Sequence, residues 1–232
     1  MKFRYSAVLL ILSLVVAGSG RAQTPRTFTG QYSVGDSLSD NGNLYALSGR
    51  LLPPAPYFNG RVSNGPVFTE LLGNPLVAAA GISTQGAYLN FAVSGANAVL
   101  TGSVPNLPQQ IGIYRLQGFP AKPTDLFTVL AGANDLIPVI PGGATNPALL
   151  DSVSAGVGEG VALNVQTLVT LGAKNIVVAG LPNLGATPRS LITGGGPGGA
   201  GAALGLRATN AFNAGLRGRL GAMAATATDV NF

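Results

Sequence analysis

The sequence predicts an α/β fold, a three-layer α/β/α sandwich around a parallel sheet, and three observations carry that prediction. Short apolar runs of five or six residues, rich in β-branched and large side chains, recur along the chain; such runs mark strands buried on both faces. Longer stretches with apolar residues at helical spacing lie between them. The two kinds alternate, which places crossover helices on the faces of a sheet whose strands run one way. At 232 residues, with 47% apolar and 9% charged positions, the chain is long enough for one sizeable domain and too apolar for a disordered one.

The amino terminus reads as a secretory signal over residues 1–22, followed by one domain over 23–232. Lys2 and Arg4 form a positive region, Ala7 to Gly18 an apolar run short for a bilayer span, and Gly20-Arg21-Ala22 a small-residue cleavage context. A membrane anchor is the competing reading of the same run. Loss of Lys2, Arg4 and Arg21 with the signal lowers the formal net charge from +5 to +2. No basic run with interleaved aromatics remains to suggest nucleic-acid binding. Cysteine and histidine are both absent, which argues against disulfides and transition-metal sites. The expected placement is export, to the periplasm, the medium or the outer membrane.

Within the domain, Thr29 to Val34 reads as a first strand, Tyr88 to Val93 as a second, Leu126 to Ala131 as a third and Asn175 to Ala179 as a fourth. Helices are expected over Val67 to Leu72, Leu107 to Leu116, Leu149 to Leu171 and Ala202 to Ala225. The third carries Val153, Val157, Val161, Val165 and Leu168 on one stripe and ends at Gly172. The fourth carries Leu204, Ala208, Phe212 and Leu216. Leu51 to Pro66, with Pro53, Pro54, Pro56, Tyr57 and Phe58, reads as a substrate wall or a plain surface connection. Tyr57 and Arg61 are as readily surface residues as functional ones. Gly194 to Gly201 reads as a flexible linker.

Sites in parallel sheets form beyond the carboxyl ends of the strands, and three polar motifs fall there. They are Gly35-Asp36-Ser37, Ser94-Gly95-Ala96-Asn97 and Gly132-Ala133-Asn134-Asp135. Their residue types suit acyl transfer: Ser37 as nucleophile, with the Ser37 N–H, the Gly95 N–H and the Asn134 side-chain amide as oxyanion donors. A helix beginning just after Ser37 would add a favourable field. Asp36, Asp40 and Asn41 read as turn or cap residues. Asn134 reads alternatively as a helix cap, a role that also suits Asp135.

These motifs resemble the GDSL esterase/lipase family, also called SGNH hydrolases. Gly35-Asp36-Ser37-Leu38 followed by Ser39-Asp40-Asn41-Gly42-Asn43 is similar to its first block. Asn90 to Ala96 is similar to its second block and Gly132 to Asp135 to its third. Pro56 to Pro66 and Leu181-Pro182-Asn183-Leu184-Gly185 resemble segments of its bacterial phospholipase/lecithinase-like branch. The resemblance implies a flavodoxin-like fold, Ser37 as nucleophile, Gly95 and Asn134 as oxyanion donors, and no cofactor. It also implies a small-molecule or lipid ester substrate, with membrane-surface contact through a lipid.

The family's Asp-x-x-His element, carrying the base, has no match here. A serine hydroxyl needs a base to take its proton. The first explanation is that the chain is truncated, because Asp229-Val230-Asn231-Phe232 looks like the opening of a further strand. The second is a non-catalytic relative that binds acyl or glycan ligands. The third is another base, Asp135 or Asp40. On the first explanation the 232-residue chain is nearly inactive and the full product is an esterase.

Overall fold

The computed structural model describes residues 28–72, 78–79, 88–118 and 120–232, so the secretory-signal reading lies outside the described residues. The described residues form a five-stranded, wholly parallel sheet. Its strands are β1 (Gly30–Gly35), β2 (Ala78–Ala79), β3 (Tyr88–Asn90), β4 (Asp125–Leu130) and β5 (Asn175–Val178), in the spatial order β2-β3-β1-β4-β5. The first strand in sequence is therefore central, and its carboxyl end lies between those of β3 and β4.

Every residue of β1 and β4 is buried, as expected for the middle of a sheet covered on both faces. Alternation gives the two faces different characters. Tyr32 of β1 and Phe127 of β4 form an aromatic cluster with Tyr114, their ring centroids 4.9–5.4 Å apart. Ser33 and Thr128, paired in register, share a 2.7 Å hydrogen bond between hydroxyls.

Among the described residues, seven α-helices connect and cover the strands: α1 (Asn43–Leu47), α2 (Phe68–Leu72), α3 (Leu107–Leu116), α4 (Ala133–Leu136), α5 (Pro147–Thr170), α6 (Pro188–Thr193) and α7 (Ala200–Ala224). Asn106 starts α3 with a capping box to Gln109, and Asn146 caps α5 ahead of Pro147. The predicted glycine stop of α5 is present, with Gly172 at φ +104°. Its buried stripe runs through Leu150, Ser154, Val157, Val161, Val165 and Leu168, whereas Val153 is one-third exposed. Helices α5 and α7 meet backbone to backbone: a Cβ on Gly158 would lie 2.2 Å from the Phe212 carbonyl oxygen.

Several elements differ from expectation. β3 is shorter than Tyr88 to Val93 because the Ala92 N–H turns to the Asn90 side chain, although Phe91 and Val93 still donate to Ser33 and Gly35 of β1. Helices α1, α4 and α6 and the two-residue β2 are too short to show a period in sequence. Gly194 to Gly201 is a hydrogen-bonded turn rather than a flexible linker, held by Gly196 N–H to Leu191 O and Gly201 N–H to Gly194 O. Asn231 lies beside Asn175 in a parallel bridge, where a further strand was expected to open.

Candidate active site

The carboxyl end of β1 is fixed on every side before it reaches Ser37. The Asp36 N–H donates to Leu130 O of β4 at 3.1 Å. The fit leaves no room at Gly35, where a Cβ would stand 2.2 Å from the same Leu130 oxygen. From the helix side, the fully buried Gln110 of α3 accepts from the Gly35 N–H at 2.7 Å. The same amide donates to the Gly35 carbonyl and to Pro105 O, both at 2.9 Å. The chain then turns back sharply, the Ser39 and Asp40 N–H groups both donating to Asp36 O at 3.0 Å. Ser37 sits at the apex, partly exposed, and among the described residues its hydroxyl has no hydrogen-bond partner.

Asp36 points inward and is 1% exposed. Burial pushes its carboxyl up to about 6; the Leu38 N–H bond opposes this and the nearby Asp135 charge adds to it.

Two buried carboxylates tie the three strand-end turns together. Asp40 accepts from the N–H groups of Gly42, Asn43 and Leu44 and from both the N–H and hydroxyl of Ser94, at 2.6–3.1 Å. It caps α1 and joins the β1 turn to the segment after β3. Asp135 accepts from the N–H groups of Ala98, Val99 and Leu100 at 2.7–3.1 Å, joining the turn after β4 to the same segment. The Asn134 amide adds a third link, donating to Ala96 O at 2.8 Å. Further back, Asn43 donates to the carbonyls of Asn90 and Ala92, and Asn90 to that of Ser39.

The three predicted motifs therefore converge, and their donors differ in availability. Among the described residues, neither the Ser37 N–H nor the Gly95 N–H is taken by a backbone acceptor. Asn134 has one amide N–H committed to Ala96 and a second remaining. Gly95 is exposed with φ +86°, a conformation that favours glycine, and its surroundings are otherwise open.

The structure corrects four readings. Asp135 does not cap α4 but clamps the neighbouring segment, and Asn134 lies inside that helix, whose N-cap is Gly132. No helix begins directly after Ser37: α1 starts at Asn43, and Asp40 occupies its first N–H groups. Asp40 and Asp135 are also unsuited as replacement bases, since buried carboxylates holding five and three donated bonds are not placed to take a proton from Ser37. Arg61 is bound to Glu70 through two bonds of 2.6 and 3.3 Å, and so secures the Leu51 to Pro66 loop against α2.

Gln110 was missed as part of the site, whereas Ser94 and Asn43 stood in the motifs without an assigned role. Gln110 had a signal: it stands on the Leu107, Ile111, Tyr114 stripe of α3, a polar side chain where the period demands an apolar one.

Comparison with known proteins agrees with this geometry. Residues 32–232 match the GDSL-like Lipase/Acylhydrolase family. A phosphatidylcholine-sterol acyltransferase of Aeromonas hydrophila is 31% identical over 185 residues, 77% of this chain and 52% of that protein. A secreted effector protein of Salmonella typhimurium is 31% identical over 66% of this chain and 35% of its own length. A GDSL esterase/lipase of Arabidopsis thaliana is 31% identical over 83% of this chain and 65% of its own. The chain thus spans between about a third and two thirds of these relatives. The match covers the parallel sheet and all three strand-end motifs, and the chain belongs to the GDSL-like lipase/acylhydrolase family.

Proposed function

We propose that this protein is an exported serine ester hydrolase that works through an acyl-Ser37 intermediate. The Ser37 Oγ attacks the ester carbonyl while its proton passes to a base. The resulting oxyanion is met by the Ser37 and Gly95 N–H groups and the second amide N–H of Asn134. Collapse expels the alcohol, which takes the proton, and water then hydrolyses the acyl-serine by the same route. The observation that supports this reading is the set of donors left without acceptors beside the fully engaged carboxylates of Asp40 and Asp135.

The 232 residues contain no histidine, so by themselves they are expected to turn over esters only slowly; binding and an oxyanion hole alone are worth roughly 10³–10⁴-fold over water. A lipid ester substrate is supported by the acyltransferase relative, and export by the secreted relative and by residues 1–22. Among the described residues no helix is long and apolar enough to cross a membrane.

The test supplies the missing base from solution. Imidazole is added with p-nitrophenyl butyrate, and acylated peptide is sought by mass spectrometry. Imidazole-dependent butyrylation of Ser37, absent in Ser37→Ala, is expected. Butyrylation elsewhere, or none at any imidazole concentration, would favour a non-catalytic binding protein on the same fold.

A further inference from the structure

We propose that the tip formed by the end of α1 and the Leu51 to Pro66 loop docks on an anionic lipid bilayer; this rests on the lipid-ester reading of the Ser37 site and assigns the surface that brings that site to its substrate. Leu47, Leu51, Leu52, Tyr57 and Phe58 all face water within twelve residues of chain, Leu51 at 71% exposure. Leu38, the residue after Ser37, is exposed as well. Single exposed leucines are ordinary on a protein surface, whereas a cluster marks a contact. The α1 helix that joins the nucleophile turn to the tip is five residues long, about 7 Å, so the tip stands close to Ser37.

The exposure is built in, because the backbone beneath it is held. The Ser48 hydroxyl accepts from the Leu51 and Leu52 N–H groups at 3.2 and 2.9 Å. The Arg50 N–H donates back to Tyr45 O at 2.7 Å, and the Phe58 N–H to Ser63 O at 2.9 Å. Gly60 rests on α1 so closely that a Cβ there would stand 2.5 Å from the Tyr45 Cβ. The leucine turn and the Tyr57-Phe58 turn are therefore fastened to the same short helix.

Charge selects the partner. Between Leu38 and Pro66 no carboxylate reaches the surface, since Asp40 is buried. Arg61 is bound to Glu70, which leaves Arg50, exposed and without an acidic partner among the described residues. Its backbone stands at φ +71°, in the left-handed region that glycine favours, so the cation is presented at a local backbone cost. The wider surface has the same sign. Of the eight acidic residues, four are buried and three are bound to Arg61, Arg207 or Lys174, which leaves Glu159 facing six exposed cations without an acidic partner among the described residues. An apolar tip with a cation at its centre and no acid suits the headgroup boundary of an anionic bilayer: the leucines and rings enter it, and Arg50 meets lipid phosphate.

The chain has no cysteine, so Leu51→Cys carries an environment-sensitive fluorophore to the tip alone. Leu116→Cys is the control: at 86% exposure Leu116 is the most exposed large apolar residue among those described, and it lies at the other end of the sheet, where α3 leads into the start of β4. The probes are vesicles of phosphatidylglycerol and phosphatidylcholine in equal parts, with brominated acyl chains, added to the 232-residue protein. The Leu51 label is expected to shift to the blue and be quenched, while the Leu116 label stays in water. Arg50→Gln is expected to weaken the vesicle titration about fivefold, the worth of one cation near an anionic surface, and vesicles of phosphatidylcholine alone to bind more weakly. A Leu51 label that stays in water at every lipid concentration, equal quenching at both positions, or equal binding to the two vesicle types would overturn the assignment. So would a blue shift that grows with protein concentration in the absence of lipid, which would give the tip to a second copy of the chain. Imidazole-dependent acylation of Ser37 by the soluble butyryl ester is read on the same protein. If it fails while the Leu51 label enters the bilayer, the nucleophile falls and the docking surface stands; the reverse result keeps the nucleophile and removes the surface.

Discussion

Gln110→Met is the most direct test of how the nucleophile turn is held. The substitution nearly preserves side-chain volume and removes three hydrogen bonds, two to Gly35 and one to Pro105. Their loss is unequal. The Gly35 carbonyl keeps its bond from Val93 N–H, but the Gly35 N–H is left buried with no acceptor. An orphaned buried donor costs about 1–3 kcal/mol, and the half-buried Pro105 carbonyl adds about 1. The expected destabilisation is about 2–4 kcal/mol. For a chain of this size that is roughly 5–15 °C in melting temperature, or about 1–2 M in urea midpoint at a slope near 2 kcal/mol/M. Urea unfolding followed by circular dichroism reads it directly. A midpoint within about 0.25 M of the parent would refute the reasoning, since the buried N–H would then have found another acceptor. Gln110→Glu sharpens the test. The carboxylate can accept from Gly35 N–H but faces two carbonyls without a donor, so folding should favour its protonated form. The folded pKa then lies above the unfolded one, and stability should fall as pH rises from 5 to 8.

Three further outcomes follow from the same geometry. Gly35→Ala should cost about 3 kcal/mol or more, because its Cβ meets the backbone oxygen of Leu130 at 2.2 Å rather than a side chain that can move; a melt within 2 °C of the parent would contradict this. Asp135→Ala leaves three N–H groups without their acceptor and should destabilise by about 3 kcal/mol, with hydrogen exchange rising first at residues 98–100; unchanged exchange there would remove Asp135 as the clamp. Asp36, raised by burial from 3.8 to about 6, ionises more easily unfolded than folded. Its penalty is absent below pH 4, grows as pH rises and is complete above 6, at about 3 kcal/mol. Asp36→Asn should therefore gain stability over the parent at pH 8 but not at pH 4, and a difference independent of pH would show that burial of this carboxyl carries no such cost.

The architecture was legible because its signals are periodic and local. The runs at Thr29 to Val34 and Leu126 to Ala131 mark fully buried strands wherever the chain takes them, and the α5 and α7 stripes repeat over six turns or more. The strand-end motifs could be placed because a parallel sheet gathers its carboxyl ends on one edge. What holds those motifs was not legible. Asp40 reaching Ser94, and Gln110 reaching Gly35, are contacts between residues 54 and 75 positions apart, and no periodicity encodes a partner at that range. Asp135 shows the same limit: beside a short helix its type suggests a cap, and only the approach of residues 98–100 makes it a clamp.

The central position of β1 also bears on how the molecule is made. Its partner across the Ser33–Thr128 bond is 95 residues later in the chain. At a synthesis rate of about 5–20 residues per second, that interval is roughly 5–20 seconds. Through it, the edge of β1 that β4 will cover stays unpaired, even once β3 has been made. The nucleophile turn, whose every support comes from later residues, cannot take shape until β4 arrives. A newly made chain therefore passes through a period in which its eventual centre offers an open strand edge. Ribosome-bound lengths ending before Leu130 should recruit chaperones, and lengths that include it should release them.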